Sequence, residues 1–212
     1  MTETFPKVSV FIPTYNGGPL FDRVLNALFA QDVDFEFEVL CIDSGSTDET
    51  LDILARYPVR LLRIPNSEFN HGLTRNRGAQ EARGEILILL VQDAVPHGRD
   101  WMRTFVSNFD DPEVAGAYCH QIPHAWCGPF FRDRLKSWVK GEGAAMVKRV
   151  RSAMDFWLLE PHERWRTIAF DDVASAVRGY PCRESAVVRA GMPAAAADDA
   201  GACVMPSSRA RP

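Results

Sequence analysis

The first half of the chain alternates between apolar runs of strand length and segments with helical spacing. Lys7 to Pro13 (KVSVFIP) is rich in Val and Ile and predicts a buried strand. In the following segment, apolar side chains recur every three or four residues, at Leu20, Phe21, Val24, Leu25, Leu28 and Phe29. This spacing is typical of one face of a helix. An alternation of strand and helix predicts an open, mostly parallel α/β sheet flanked by helices.

The same alternation continues beyond the first strand and helix. Further strands are predicted at Phe37–Ile42, Val59–Ile64, Glu85–Val91 and Val114–Tyr118. Further helices are predicted after a capping box of Ser46 and Glu49, at Leu73–Ala82 and at Arg99–Phe109. The continuous apolar run EILILLV favours a strand that is buried on both faces.

The second half of the chain is less regular. Phe130–Leu159 has mostly helical propensity and predicts a helical C-terminal part. Residues 179–212 contain Ala-rich patches and end in Ser, Arg and Pro, with no aromatic residue after Tyr180. No strand or helix of useful length is predicted there, so we expect a weakly ordered tail.

Composition excludes several classes of function. Hydrophobic residues make up 46% and charged residues 25%, which is typical of a globular protein. The formal net charge of −4 argues against a nucleic-acid-binding protein. The longest apolar run, Ile86–Val91, is far shorter than the roughly 20 residues that span a bilayer. The N-terminus lacks the pattern of a signal peptide, and five cysteines without framework spacing favour the cytoplasm.

Polar residues follow three of the predicted strands at the edge where α/β proteins bind ligands. They form the segments Pro13-Thr14-Tyr15-Asn16, Asp43 to Asp48, and Gln92-Asp93. A buried carboxylate at a strand end is best explained by a hydrogen-bond donor or a cation. For Asp43, capping of the next helix is an equally good explanation. Asp93 is harder to explain as a cap, because Pro96 follows and the next predicted helix starts later.

Three common ligand motifs are missing. TYNGG after the first strand lacks the glycine spacing of a dinucleotide-binding loop. The sequence contains no Walker loop and no G-x-S-x-G nucleophile elbow. An NAD-dependent enzyme, a P-loop ATPase and an α/β-hydrolase are therefore disfavoured.

Taken together, the segments VSVFIPTYN, IDSGSTDET and FNHGLTRNRGAQEARGEILILLVQDA resemble the family 2 glycosyltransferases with a GT-A fold. They are similar in particular to the bacterial rhamnosyltransferase-like branch, in which QDA stands in place of a DxD-type metal motif. The resemblance covers about residues 7–178, including YCHQIPH and FDDVASAVR. It implies a donor-binding part at 7–125 and a helical acceptor-side part at 126–178 of a domain spanning 1–178, with 179–212 as a tail.

The resemblance also implies roles for individual residues. Pro13, Thr14 and Tyr15, together with Asp43, would hold the base and ribose of a nucleotide. Arg75 would face the diphosphate, and Gln92 would contact the ribose or the sugar. Asp93 would ligate Mg²⁺ or Mn²⁺ between the two phosphates, because hard cations suit carboxylate and phosphate oxygens.

The resemblance does not supply a catalytic base. In the family, the base is the Asp of an E-D pair in a segment after the equivalent of FDDVASAVR, and that segment is absent here. The chain therefore looks truncated or altered after about residue 178, and no residue is assigned the catalytic role. Two interpretations stay open: the donor-binding portion of a glycosyltransferase, or a non-catalytic remnant that binds nucleotide-sugar.

The expected partners also follow from the resemblance. The donor would be a dTDP- or UDP-sugar, with dTDP-rhamnose favoured. The acceptor would be a saccharide or lipid-linked saccharide in surface polysaccharide synthesis. We expect a cytoplasmic location, with peripheral association at the inner membrane as a further option.

Overall fold

The described part of the chain comes from a computed structural model. It comprises residues 5–119, 121–124, 127–130, 132–133, 146–150, 154, 158, 174–178, 186–190 and 203–205. None of the helices in these residues is long and apolar enough to cross a membrane.

Strands and helices alternate through the first half of the chain, as the periodicity predicts. The strands there are β1 (Val8–Thr14), β2 (Phe37–Asp43), β3 (Val59–Arg63), β4 (Ile86–Leu90), β5 (Val95–Pro96) and β6 (Val114–Tyr118). The helices are α1 (Gly18–Phe29), α2 (Thr50–Leu54), α3 (His71–Glu81) and α4 (Trp101–Ser107). Short 3₁₀ turns lie at Asn66–Glu68 and Asn108–Asp110. The predicted alternation is therefore confirmed, with small shifts at most element ends.

The later strands complete a mixed sheet. They are β7 (Gln121–Pro123), β8 (Met146–Val150), β9 (Ala174–Arg178), β10 (Ala186–Ala190) and β11 (Cys203–Met205). The main sheet has the order β3-β2-β1-β4-β9-β6-β10-β8, and β5, β11 and β7 form a small second sheet. The first four strands of the main sheet are parallel, whereas β9 is antiparallel to both of its neighbours.

Two predictions for the second half are wrong at particular residues. Met146–Val150 is a strand and not part of a helix, and Ala186–Ala190 is a strand inside the expected tail. The two strands pair antiparallel with each other, and Ala186–Ala190 also pairs with β6. Strands this short carry little periodic signal, and their pairing depends on partners far away in the sequence. Cys203–Met205 is a further strand inside the expected tail. Most of Phe130–Leu159 and the other residues of 179–212 lie outside the described residues.

The parallel strands are covered by helices on both faces. Val8, Val10 and Ile12 of β1 belong to a core cluster that includes buried residues of α1, α2 and α4. Phe11, which points to the other face, belongs to a second cluster that includes Ala79 of α3. This alternation along β1 follows the two-residue period of a strand. Of the helices α1 to α4, only α3 therefore packs on the face of the sheet to which Phe11 points.

A buried polar cluster ties the ends of β1, β2 and β4 that lie opposite the candidate site. The Ser9 hydroxyl donates to Glu38 (2.6 Å) and accepts from the backbone N–H of Gly84 (2.8 Å). Burial alone would raise the pKa of Glu38, but hydrogen bonds from Ser9 and Arg83 and the charge of Arg60 lower it. This cluster fixes the start of β4 against β1.

Gly78 of α3 allows the helix to approach β1 closely. A Cβ added at Gly78 would lie 2.6 Å from ring carbons of Phe11, whereas one at Gly72 would meet nothing nearer than Asn70 at 3.5 Å. We therefore expect Gly78→Ala to lower the free energy of unfolding by about 1–3 kcal/mol, as overpacked cores do. Gly72→Ala is the matched control in the same helix and should leave stability unchanged or raise it by up to about 1 kcal/mol. Urea denaturation of both variants measures the difference, and equal stabilities would contradict the close packing of α3.

Candidate active site

The ends of β1 and β2 bring several predicted site residues together. In the parallel register, Pro13 lies opposite Ile42 and Thr14 lies opposite Asp43. The Ser44 backbone N–H donates to the Thr14 carbonyl oxygen at 3.0 Å, which extends the pairing into the loop after β2. β4 pairs with the other side of β1, so its end reaches the same edge. The polar segments predicted from sequence therefore do converge at the carboxyl edge of the sheet.

The loop after β1, together with the first residue of α1, is held at four consecutive backbone N–H groups by side chains from the loop after β4, the loop after β2 and the start of α2. Tyr15 N–H donates to Gln92 Oε1 (2.8 Å), and Asn16 N–H donates to Ser46 Oγ (2.9 Å). Gly17 N–H donates to Thr50 Oγ1 (2.8 Å), and Gly18 N–H donates to Asp48 Oδ2 (3.1 Å). We call residues 15–18 the clamped loop. Because its donors are occupied within the protein, this loop does not serve as a backbone phosphate cradle.

Asn16 and Gly18 give the clamped loop its shape. Asn16 has a φ of 46° and Gly18 a φ of 56°, so both lie in the left-handed region. Asn is one of the few residues with a side chain that tolerates this conformation. Its Oδ1 accepts from Thr47 N–H at 2.8 Å, which joins the clamped loop to the loop after β2.

Asp43 is fully buried and organises the loop that follows it. Its Oδ1 accepts from the backbone N–H groups of Gly45 and Ser46, each at 3.0 Å. Its Oδ2 accepts from the Ser46 hydroxyl, whose oxygen in turn accepts from Asn16 N–H. The carboxylate thus acts on the clamped loop through one serine. Since a carboxylate offers about four acceptor positions, one position on Oδ2 remains.

The capping box predicted for Ser46 and Glu49 is wrong. The Ser46 hydroxyl is bound between Asp43 and Asn16, and α2 begins later, at Thr50. Asp48 Oδ1 accepts from Thr50 N–H at 3.0 Å and supports the start of the helix instead. Partial burial acts to raise the pKa of Asp48, but hydrogen bonds from Thr50 and Gly18 outweigh this effect and lower it.

Sequence reasoning also missed the importance of four loop-fixing residues, namely Asn16, Ser46, Asp48 and Thr50. All of them lie in the motif segments, but their partners are about 30 residues away along the chain. The only available signal was the density of Ser, Thr, Asp and Asn at two neighbouring strand ends.

Tyr15 presents an aromatic surface beside this network. Tyr15 is 44% exposed, whereas the neighbouring Thr14 is only 2% exposed. The backbone of Tyr15 is fixed on both sides, because Gln92 Nε2 also donates to the Tyr15 carbonyl oxygen at 3.0 Å. An exposed ring on a fixed backbone can stack on a flat ligand without much loss of conformational entropy.

Asp93 follows Gln92 in the turn after β4, and the surroundings of its carboxyl group suit the binding of a cation. It is partly buried, and this burial raises the pKa of its carboxyl group above the usual value for aspartate. The ion pairs found among the described residues join Arg56 to Asp22 and Arg60 to two glutamates, and none includes Asp93. A single partly desolvated carboxylate fits a hard divalent cation that takes its other oxygen ligands from a bound diphosphate.

Arg75 lies in the first half of α3, which follows β3 at the same edge of the sheet. Asn66, just before this helix, donates from Nδ2 to the Ser44 carbonyl oxygen at 3.2 Å. The Asn70 side chain caps α3 by accepting from Gly72 and Leu73. His71, exposed at the helix start, packs edge-on against Phe69 with ring centroids 4.8 Å apart. These contacts anchor the start of α3 beside the loop after β2.

Comparison with known proteins identifies the family. The profile of the family described as Glycosyl transferase family 2 matches residues 9–174. The chain belongs to this family. The match covers β1 to the start of β9 and therefore includes every candidate site residue. The resemblance seen in the sequence motifs is thereby confirmed.

Two similar proteins within the family are rhamnosyltransferases. The glycosyltransferase chain is 35% identical over 125 residues to the O-antigen chain rhamnosyltransferase RfbN of Salmonella typhimurium. It is 32% identical over 125 residues to the O-antigen chain rhamnosyltransferase WbaN of Salmonella anatum. Each alignment covers 58% of this chain and 40% of the relative, so the match spans less than half of those proteins.

Solved structures confirm the GT-A type of α/β fold. Residues 1–349 of S. aureus TarS with UDP-GlcNAc superpose with a TM-score of 0.61 and 17% identity, over 97% of this chain and 60% of that one. A mannosyltransferase from Pyrobaculum calidifontis, solved with GDP-Man and Mn²⁺, superposes with a TM-score of 0.59 and 21% identity, over 98% of this chain and 59% of that one. The TarS 1–349 complex with UDP gives a TM-score of 0.50 with 27% identity, over 57% of this chain and 37% of that one.

Proposed function

We propose that this glycosyltransferase-family chain binds a nucleoside diphosphate sugar at the edge formed by β1, β2 and β4. The observation that carries the proposal is the combination of the clamped loop with a partly desolvated carboxylate at Asp93. The clamped loop would hold the Tyr15 ring in place as a platform for a base, and Asp93 would be a ligand for a cation bound to the diphosphate. The complex of the related TarS with UDP supports a nucleoside diphosphate as the ligand class.

The base and ribose are proposed to bind at Pro13, Thr14, Tyr15 and Asp43. The exposed Tyr15 ring would stack on the base, an interaction worth about 1–3 kcal/mol in other base-binding proteins. Asp43 is fully buried in the free protein, so its remaining acceptor position would receive the imide N–H of thymine or uracil only after a small movement of the side chains that cover it. Asp43 would also keep the platform in place through Ser46.

The diphosphate is proposed to bind between Asp93 and Arg75. Asp93 would hold Mg²⁺ or Mn²⁺, and the Arg75 guanidinium would make charge-assisted hydrogen bonds to phosphate oxygens. A divalent cation held by Asp93 would supply stabilisation of the negative charge on the departing diphosphate. Because the loop N–H groups are bonded to side chains, these two charged contacts would supply most of the phosphate affinity.

The donor and acceptor are proposed from the relatives. Similarity to two O-antigen chain rhamnosyltransferases supports dTDP-rhamnose as the donor and a growing, lipid-linked saccharide as the acceptor. The reaction would then extend a surface polysaccharide from the cytoplasmic side of the inner membrane. The residue that accepts the proton of the acceptor hydroxyl is not assigned, because the E-D pair of the family has no counterpart in this sequence.

Isothermal titration with nucleotides tests the proposal. We expect dTDP and UDP to bind the folded chain more tightly in the presence of Mn²⁺ than in EDTA, with a preference for dTDP. Absence of metal-dependent binding by a folded sample would contradict the proposed function. A separate assay of sugar transfer distinguishes an active glycosyltransferase from the alternative of a donor-binding remnant without turnover.

A further inference from the structure

Gln92 makes two hydrogen bonds to the backbone of a single residue. Its Oε1 accepts from Tyr15 N–H at 2.8 Å, and its Nε2 donates to the Tyr15 carbonyl oxygen at 3.0 Å. The two residues are separated by 77 positions in sequence. The side-chain amide thus joins the segments after β1 and β4 beyond the last paired residues of the two strands, Phe11 and Leu89. Its orientation is determined by its partners, because one is a donor and the other is an acceptor.

This arrangement requires an amide and excludes a carboxylate. An ionised Asp or Glu has only acceptors, so it could bind Tyr15 N–H but would face the Tyr15 carbonyl oxygen with a second oxygen. The space around the amide is also limited, since a Cβ at Gly17 would lie 3.2 Å from Gln92 Oε1. The presence of Gln where a carboxylate begins the usual metal motif therefore has a structural explanation.

We propose that Gln92 is a positioning residue that fixes the Tyr15 backbone for base stacking and does not itself bind ribose, sugar or metal. The nucleotide in this inference rests on the proposed function, whereas the contact between Gln92 and Tyr15 does not. It replaces the prediction from sequence that Gln92 touches the ribose or the sugar. Both polar atoms of its amide are bonded to the Tyr15 backbone, and these two bonds fix the plane of the amide, so that its second N–H and second acceptor position cannot turn toward a ligand without breaking them.

Two substitutions separate positioning from direct ligand binding. Gln92→Met keeps the size of the side chain but removes both hydrogen bonds, and Gln92→Glu keeps the acceptor but removes the donor. For a positioning residue, both variants should bind dTDP about 10-fold more weakly, because Met loses both hydrogen bonds and Glu loses one and places an oxygen against the Tyr15 carbonyl oxygen. Binding of Mn²⁺-pyrophosphate should stay close to that of the parent. A Gln92→Glu variant that binds dTDP as tightly as the parent, or more tightly, would overturn the proposal.

Gln31 provides a matched control. Its amide also bridges backbone groups, because Nε2 donates to the carbonyl oxygens of Ala27 and Gly98 and Oε1 accepts from Met102 N–H. These contacts join the end of α1 to the start of α4, away from Tyr15. Gln31→Glu should therefore lower thermal stability without changing dTDP affinity. An equal loss of affinity in this control would show that Gln92 acts only through general stability.

Hydrogen exchange of the ligand-free protein tests the contact independently of nucleotide binding. In Gln92→Met, the Tyr15 backbone amide should exchange at least about 10-fold faster, since its acceptor is lost. Amides of Val10 and Ile12 within β1 should keep their protection. Unchanged exchange at Tyr15 would overturn the proposal even if nucleotide binds. Faster exchange in a chain that binds no nucleotide would leave the contact established and contradict the proposed function.

Discussion

Asp93→Asn is expected to have two effects of opposite sign. The variant should lose the Mn²⁺-dependent part of dTDP binding, because Asn supplies no negative charge to the cation. In the absence of metal, the same variant should unfold at a higher temperature than the parent at neutral pH. For a chain of this size, each kcal/mol of relieved burial cost corresponds to about 2–4 °C. Titration calorimetry and thermal unfolding in EDTA measure the two effects.

The stability effect follows from the direction of the pKa shift. Burial raises the pKa of Asp93 in the folded protein above its value in the unfolded chain. The charged carboxylate is therefore unfavourable to folding at pH values above the folded pKa. As the pH falls through that pKa and then below the unfolded value, the group is protonated in both states and the cost disappears. The advantage of Asp93→Asn should thus be present at pH 7–8, shrink as the pH falls toward about 4 and be absent below that pH.

Asp34→Asn is the control for the change in net charge, because Asp34 is exposed and precedes β2, at the edge of the sheet opposite the candidate site. It should change neither the metal dependence nor the pH profile of stability. If Asp93→Asn binds dTDP as tightly as the parent in Mn²⁺, Asp93 is not the metal ligand. If Asp93→Asn is less stable than the parent in EDTA, the Asp93 carboxylate stabilises the fold, and its burial is not a cost.

Asp43→Asn should weaken dTDP or UDP binding by about 1–3 kcal/mol, the usual loss when a charged acceptor is removed. The substituted amide can accept from only one side, so the Ser46 hydroxyl loses its acceptor and the link to Asn16 is weakened. Mn²⁺-pyrophosphate binding should change little, because the phosphates are proposed to contact Asp93 and Arg75. Titration calorimetry with the two ligands measures the difference.

Ser46→Ala separates the two roles proposed for Asp43. It removes the bridge from Asp43 to Asn16 but leaves the carboxylate and its bonds to backbone N–H groups. If Asp43 receives a hydrogen bond from the base, Ser46→Ala should bind nucleotide better than Asp43→Asn does. Equal losses in the two variants would mean that Asp43 acts only through the loop. Equal losses for nucleotide and pyrophosphate would mean that the whole strand edge has changed.

Local periodicity accounts for the parts of the fold that could be predicted. β1, β2 and β4 are short apolar runs and α1 has a three-to-four-residue pattern, and burial in the structure follows these signals at Val8, Phe11, Phe21 and Leu25. The position of the site was also predictable, because the carboxyl ends of parallel strands must lie at one edge. Short strands such as Met146–Val150 were not predictable, since their partners are set by the tertiary structure.

Contacts distant in sequence account for what was missed in the site. A serine three residues before a glutamate predicts a capping box, yet Ser46 binds Asp43 and a residue 30 positions away. The contact of Gln92 with ribose or sugar stays a prediction, but its hydrogen bonds to the Tyr15 backbone, 77 positions away, have no signal in the motif. In both cases, the sequence indicates which residues lie at the site but not which of them bind each other.

The four occupied N–H groups of the clamped loop have a consequence for the kinetics of nucleotide association. Since the backbone of residues 15–18 is already ordered in the free protein, nucleotide arrival requires no slow loop closure there. The observed association rate should rise linearly with dTDP concentration and should not reach a plateau set by a conformational step. Differences in affinity among variants that keep this loop intact should then appear as changes in the lifetime of the complex.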